Sequence, residues 1–345
     1  MVAPPWYELP PTGYGGIESM CADLTDGLIA RGVDVTLIGV GTNGTKAPFV
    51  RTFPQPQHPR LGDTMPDALH AAALPSILSR LEIDLVHDHS FLGPLVAVGR
   101  PIPTLVTAHG PVHGELGRYY HALGSAIDLA AISRAQRASA PGLNWAGVVH
   151  NAVRVAEFPY STSKSDFALF LGRMSPEKGL VAAITAATRA GVDLVVAAKA
   201  SEPAERQYFE AEVQPRLGPH IHWIGEADRA AKRRLLSNAR CLLFPISWDE
   251  PFGMVMIEAL ACGTPVVALR RGSVPEVLRH GVTGLVCDSE QELPEALLGV
   301  AELDPATCRA DALDRFDVDR MACEYLEVYQ KLLDRRAGLR SAAWG

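Results

Sequence analysis

Short apolar runs that close on a polar residue or a glycine, with helical patterns between them, recur along this chain and restrict it to one class of fold. Residues 83–89 (IDLVHDH), 103–110 (PTLVTAHG), 128–134 (DLAAISR), 167–173 (FALFLGR), 192–199 (VDLVVAAK) and 266–269 (VVAL) share the design. Runs of this length, bounded by turn residues and alternating with helical periodicity, are strands of a parallel sheet covered by helices on both faces. In such sheets the polar groups at the carboxyl ends of strands face the ligand crevice. The order of elements therefore predicts an α/β chain of two doubly wound, Rossmann-like domains, and 345 residues are enough for two. The first is expected over 1–154, opening on a short strand at 1–4, and the second over 155–320. Residues 154–166, rich in Ser, Thr and Pro, read as the linker. A final amphipathic helix (Met321, Tyr325, Val328, Tyr329, Leu332) falls in 321–345.

Composition narrows the partners. The net charge of −7 argues against nucleic acid. Residues 1–160 hold 10 Lys+Arg against 13 Asp+Glu, so attraction to anionic lipid is not expected. No apolar run reaches the roughly 18 residues of a membrane span, and no charged-then-apolar leader precedes Val2, which together predict a cytoplasmic protein. Six scattered cysteines (21, 241, 262, 287, 308, 323) form no C-x-x-C pair and read as reduced core thiols.

The most informative stretch is 248–267 (WDEPFGMVMIEALACGTPVV). Pro251 near its start and Gly263 past its end punctuate a short helix. Glu258 lies inside that otherwise apolar helix, where an unpaired carboxylate is costly. It requires either a protein partner or the hydroxyls of a ligand. Glu250, eight residues earlier at the helix mouth, favours a polyol ligand for the two acids together, whereas both acids staying internally paired in the presence of such a ligand would tell against one.

Other candidate groups lie at strand ends. Gly172-Arg173-x4-Lys178-Gly179 puts two cations between a strand and a helix start; Arg offers a fork and Lys a point charge to phosphate oxygens. A solvated charged turn is the alternative. The turn 10–18 (PPTGYGGIE) feeds a helix whose free amides suit an anion, although a plain tight turn fits equally. It is no dinucleotide fingerprint, because Glu18 stands at the third glycine position. Residues 48–59, rich in proline, read as a surface connection. The cluster Arg229, Lys232, Arg233, Arg234 reads as a solvated helix face, and Lys199 as a surface residue or a phosphate contact. His87, His89, His109 and His113 invite a zinc reading, but Gly110 and Pro111 interrupt the helix that would align the last two. Asp317-x-Asp319 could hold a divalent ion or simply suit a helix start. No metal site is expected.

The run E-P-F-G-x-V-x-I-E-A-x-A-x-G-T-P from Glu250 to Pro265 resembles the signature of the retaining family-4 nucleotide-sugar glycosyltransferases, which have the GT-B fold. G-R-x4-K-G at 172–179, T-x-H-G at 107–110 and G-x-x-P-E-V at 272–277 extend the likeness. The resemblance implies two domains facing a central cleft, with the last helix crossing back to the first domain. It implies that Glu250 lies by the donor sugar, that main-chain groups of Phe252, Gly253 and Met254 bind sugar hydroxyls, and that Glu258 holds the ribose. Arg173 and Lys178 would neutralise the diphosphate, with Gly15 and Gly16 facing it, and His109 would contact the sugar near its reacting carbon. The catalytic set is then Glu250, His109, Arg173 and Lys178. The implied reaction is metal-independent transfer of a sugar from a nucleoside diphosphate, UDP rather than GDP, to an acceptor hydroxyl. The anomeric configuration is retained by front-face attack, with no resident cofactor. The acceptor could be a carbohydrate, a lipid-linked sugar or a small natural product.

Three rivals share parts of the pattern. A GT-B nucleotide-sugar epimerase has the fold without this acid spacing. A non-catalytic nucleotide-binding protein would not need both acids and both cations, and a phosphorylase would use inorganic phosphate. The missing third glycine disfavours an oxidoreductase.

Overall fold

Among the described residues every ladder between strands is parallel, and the ladders build two sheets in two separate units. A computed structural model describes residues 1–13 and 15–342; Tyr14 in the glycine turn and the last three residues of the expected 321–345 segment lie outside the described residues. The units are 1–152 with 318–345, and 153–317. The breaks expected at 154 and 320 therefore move earlier. The cause is local: Val153 bridges Asp317 and donates its N–H to the Phe316 carbonyl at 2.9 Å, which ties both ends of the second unit to each other.

In chain order the first unit contains α1 (Gly16–Ile29), β1 (Leu37–Val40), β2 (Phe49–Phe53), α2 (Thr64–Leu78), β3 (Val86–Asp88), β4 (Thr104–Ala108), α3 (Gly114–Leu123), β5 (Asp128–Ala131), α4 (Arg134–Ser139) and β6 (Trp145–Val148). The stretch read as a surface connection at 48–59 thus supplies β2, whose alternating Phe49, Arg51 and Phe53 pair in parallel with β1. Proline confines only its flanks, because the residues that pair carry none. Residues 1–3 stand between β1 and β3: Ala3 donates to the Ile38 carbonyl at 2.9 Å, and Val2 to that of His87 at 2.8 Å. This short bridge joins β2-β1 and β3-β4-β5-β6. Strand order consequently reverses between residues 1–3 and β3, which is where doubly wound sheets hold ligands.

The second unit contains β7 (Ala168–Arg173), α5 (Leu180–Ala190), β8 (Leu194–Lys199), α6 (Pro203–Tyr208), β9 (Ile221–Trp223), α7 (Arg229–Asn238), β10 (Cys241–Phe244), α8 (Met254–Ala261), β11 (Val266–Leu269), α9 (Val274–Val277), β12 (Gly284–Cys287), α10 (Leu293–Gly299) and α11 (Pro305–Phe316). Its order is β12-β11-β10-β7-β8-β9, so the reversal falls between β7 and β10. Buried Val, Leu, Ala, Phe and Cys from β7, β8, β10 and β11 pack against α5 and α10. Residues 154–166 are no free linker. Phe158 is buried, its carbonyl accepts from Arg309 at 2.8 Å, and Glu157 takes salt bridges from Arg229 at 2.9 Å and Arg233 at 2.8 Å.

The last helix, α12 (Val318–Ala342), belongs to the first unit, where Met321, Tyr325, Val328 and Leu332 are buried with α1. Gly27 admits this contact: a Cβ there would sit 3.0 Å from Val318 Cγ1 and 3.2 Å from Ala322 Cβ. Five cysteines are buried, as read from sequence, but Cys323 is exposed on α12, with its sulfur 3.1 Å from Arg31 Nε. No helix among the described residues is long and apolar enough to cross a membrane.

Candidate active site

Three loops meet at the β7/β10 reversal of the second unit, and glycines set how closely. Gly179 ends the turn after β7 with φ +76°, and a Cβ on it would overlap the Pro245 carbonyl oxygen of the loop after β10. The contact is reinforced where Ser247 N–H donates to the Glu177 carbonyl at 3.0 Å. Lys178 is thereby brought to Glu250, donating to Oε2 at 2.6 Å, with its ammonium 5.1 Å from the centroid of the Trp248 ring. The third loop follows β11. Gly272 (φ +47°) leaves no room for a Cβ beside the Glu250 main chain, Ser273 N–H donates to the Glu250 carbonyl at 3.1 Å, and Gly272 N–H donates to Asp249 Oδ1 at 3.1 Å.

The predicted helix is α8, which starts at Met254 after Gly253 in the left-handed region (φ +78°) and stops before Gly263 (φ +71°). Phe252 is buried edge-on against Phe316, with ring centroids 6.1 Å apart, and its carbonyl accepts from Ser273 Oγ at 2.7 Å. That carbonyl is therefore engaged by the protein. As the first turn of α8, Met254 and Val255 carry amides that helix geometry leaves without an intrahelical acceptor.

Glu258 has a protein partner, Lys232 on α7, which donates to Oε1 at 2.6 Å. This overturns the solvated-face reading of the basic cluster: Arg229 and Arg233 bind Glu157, and Lys232 holds the helix acid. Side-chain exposures of 14% for Glu250 and 13% for Glu258 place both at the edge of solvent. Both acids are thus paired internally, each through one oxygen. Arg173 closes β7 and contacts Glu177 Oε1 at 3.3 Å, but at 42% exposure this is a weak surface pair. Lys199 Nζ reaches Glu202 at 3.3 Å.

In the first unit, Gly15 precedes α1 with φ +137°, where a Cβ would press on Pro11 Cγ at 2.9 Å and Tyr7 Cδ2 at 3.3 Å; a Cβ on Gly16 would meet open space. Glu18 in the first turn of α1 is buried, and burial pushes its carboxyl up to about 7 against two main-chain hydrogen bonds. His109 follows β4, half-buried, with Nε2 3.0 Å from His89 Nδ1, and burial pushes it down to about 3, so it is neutral near pH 7. His87 has a structural place between Tyr329 OH and Thr107 Oγ1, both at 2.7 Å, and Thr107 in turn meets Tyr325 OH at 2.9 Å.

Among the described residues no three His, Cys, Asp or Glu side chains gather as a metal-binding group. Asp317 and Asp319 act apart: Asp317 Oδ2 accepts the Val155 N–H at 3.2 Å, and Asp319 pairs with Arg31 at 3.1 Å. Of the local partners, Trp248 and Gln136 have no role in the residue patterns, His89 enters them only through the zinc reading, and Lys232 only as part of a solvated face. The one available signal was for Lys232, because an acid in an apolar helix requires a cation and a basic helix precedes it.

Comparison with known proteins defines the class. Residues 14–157 match the sequence family "Glycosyltransferase Family 4", and 157–307 match "Glycosyl transferases group 1". The chain is a glycosyltransferase of the GT-B fold. Among individual proteins, it is 28% identical to the alpha-maltose-1-phosphate synthase of Mycobacterium tuberculosis, covering 94% of this chain and 97% of that one. It is 26% identical to the glycogen synthase of the same organism, over 81% and 80%. The crystal structure of AviGT4, a glycosyltransferase of avilamycin A biosynthesis, superposes with a TM-score of 0.73 at 26% identity, over 96% and 97% of the chains. Anabaena HepE, solved with UDP and glucose, shares the fold at a TM-score of 0.73 and 20% identity, over 94% and 99%.

Proposed function

We propose that this glycosyltransferase moves a sugar from a nucleoside diphosphate, UDP in preference to GDP, to an acceptor hydroxyl with retention at the anomeric carbon and without a metal ion. The observation that carries the reading is the Lys178–Glu250 pair at 2.6 Å, set at the sheet reversal beside Arg173 and one helix mouth from Glu258. Its partner for Glu250 is itself a phosphate-binding type of side chain, so the internal pair is made of groups a donor would use. Each acid keeps a second oxygen for sugar or ribose hydroxyls, since each lysine takes only one.

The chemical demand is charge. As the bond from the anomeric carbon to the diphosphate oxygen breaks, the leaving group becomes more negative and the sugar oxocarbenium-like. Arg173 and Lys178 stabilise the first, and Glu250 orients the sugar and favours the second. The acceptor oxygen forms its bond on the face that the diphosphate leaves, and a diphosphate oxygen takes the hydroxyl proton. Phe252, Gly253 and Met254 are assigned to the sugar hydroxyls, the Met254 amide foremost because the Phe252 carbonyl is occupied. Glu258 is assigned to the ribose, Gly15 and Gly16 to the diphosphate, and His109 to the sugar, each carried by the resemblance of its motif. The acceptor is a carbohydrate, a lipid-linked sugar or a small molecule.

Incubation with UDP- and GDP-sugars and a panel of acceptors, read by proton NMR of the anomeric signal, tests the reading. Product of retained configuration, at rates that survive EDTA and collapse in Glu250→Gln, supports it. Inverted product, full turnover by Glu250→Gln, or epimerised donor in place of transfer overturns it.

A further inference from the structure

The contact between His89 and His109 does more than fill space at the end of β3 and β4. We infer that His89 is a positioning residue that fixes the tautomer of His109, holding its proton on Nδ1 so that it meets its ligand as a neutral hydrogen-bond donor. The assignment of that ligand as the donor sugar rests on the function proposed above; the tautomer does not.

Only one ring can supply the proton in the 3.0 Å contact between His89 Nδ1 and His109 Nε2. His89 is 4% exposed, and its second nitrogen, Nε2, has no hydrogen-bond partner. If His109 donated, His89 would carry its own proton on Nε2, leaving a buried N–H without an acceptor. If His89 donates, Nε2 is an unused acceptor, the milder of the two defects by analogy with main-chain groups. A neutral imidazole bears one N–H, so His109, accepting on Nε2, must hold its proton on Nδ1. Burial keeps both rings uncharged near pH 7, which removes the doubly protonated form from consideration.

The surroundings hold this pair from both sides. His89 packs on His87 with ring centroids 4.1 Å apart, and His87 is pinned by Tyr329 and Thr107. The main chain of His109 is clamped by the buried amide of Gln136, which donates to the carbonyl of Ala108 at 2.7 Å and to that of Gly110 at 2.8 Å. The Gln136 oxygen accepts from Ile132 N–H at 2.8 Å, and Ser133 Oγ accepts from Gln136 N–H at 2.9 Å. Gln136 sets where the His109 ring is, and His89 sets which of its nitrogens is a donor.

The test uses the whole protein with 15N-labelled histidine, the His109 signals being assigned by their loss in His109→Gln. Long-range nitrogen–proton spectra distinguish the two neutral tautomers. The expected result is an Nδ1–H His109 in the wild type and in His89→Asn, whose amide NH2 can occupy the place of Nδ1–H. In His89→Phe the expected result is a shift to Nε2–H or to a mixture. Turnover should divide the same way: kcat in His89→Phe falls about tenfold or more with KM within a factor of about two, while His89→Asn stays within about threefold of wild type. Should His89→Phe fail to fold, His89→Gln, whose amide reaches toward the Nε2 position instead, replaces it with the same expected loss. An Nε2–H His109 in the wild type, or a tautomer indifferent to His89, overturns the inference. So does His89→Asn as impaired as His89→Phe. Because the spectra need no substrate, they decide this point even if no nucleotide sugar is turned over; conversely, retaining transfer with an Nε2–H His109 defeats this inference alone.

Discussion

Gly179 lies against the carbonyl of Pro245 too closely for any side chain, and this one approach welds the loop after β7 to the loop after β10. Lys178, the preceding residue, is held beside Glu250 as a result. Gly179→Ala meets both a left-handed φ and a filled space, so we expect a loss of stability of at least about 2 kcal/mol. Urea unfolding measures it. Donor affinity should fall as well, because the alternative to unfolding is separation of the two loops. A neutral effect on both would show that the loops need not touch.

Lys232 holds the carboxylate of Glu258, and removing one member of a mostly buried pair strands the other. Lys232→Met should destabilise the protein by about 1–2 kcal/mol, less than for a fully buried pair because Lys232 is 32% exposed. Glu258→Gln in the same chain should restore much of that loss. The double-mutant cycle measures the coupling directly, and additive effects would mean that the pair contributes nothing.

Glu18 provides a pH test. Its folded-state carboxyl titrates at about 7, above the usual 4.5, because burial opposes the charged form. An acid with a raised folded value binds protons more tightly folded than unfolded, so its contribution is present below pH 4.5 and lost as pH rises through 7. Glu18→Gln removes this slope. Relative to wild type, the variant should gain stability progressively from pH 4.5 to 7, reaching on the order of 3 kcal/mol above that window. Urea midpoints of both proteins across this range check it, and parallel curves would contradict it.

Gln136 satisfies two carbonyls and one N–H around His109. Gln136→Leu leaves these buried groups unpartnered, with an expected cost of about 2–4 kcal/mol by thermal or urea unfolding. Gln136→Glu keeps the acceptor for Ile132 and loses the donors, so it should be as damaging. A mild effect of either would show that the loop after β4 is held by other means.

Alternation of apolar runs with helices made the parallel sheets legible, and Val266–Leu269 emerged with the bounds its β-branched residues imply. In residues 48–59 the conspicuous prolines mask a short run, Phe49–Phe53 (FVRTF), whose Phe, Val and Thr do favour a strand. The glycines around Glu250 could be read as turns, but not as close approaches, because what a Cβ would strike lies on another loop. Partnership was the least legible property. Periodicity marks which face of α7 is exposed on an isolated helix, whereas the carboxylates that claim Arg229, Lys232 and Arg233 come from residues 157 and 258. The same limit applies to His89 and His109, twenty residues apart and brought together only by the β3–β4 pairing.

The central claim is that the Lys178–Glu250 corner binds a glycosyl nucleotide, and titration calorimetry with UDP, UDP-sugars and GDP-sugars in the presence of EDTA tests it most directly. The account predicts one UDP-sugar site per chain, with affinity lowered about 10–100-fold in Lys178→Ala, the range of a charge-assisted contact to phosphate. Absence of binding by every nucleotide sugar, or equal affinity in wild type and Lys178→Ala, would contradict it and leave the two acid–lysine pairs as structural ties alone.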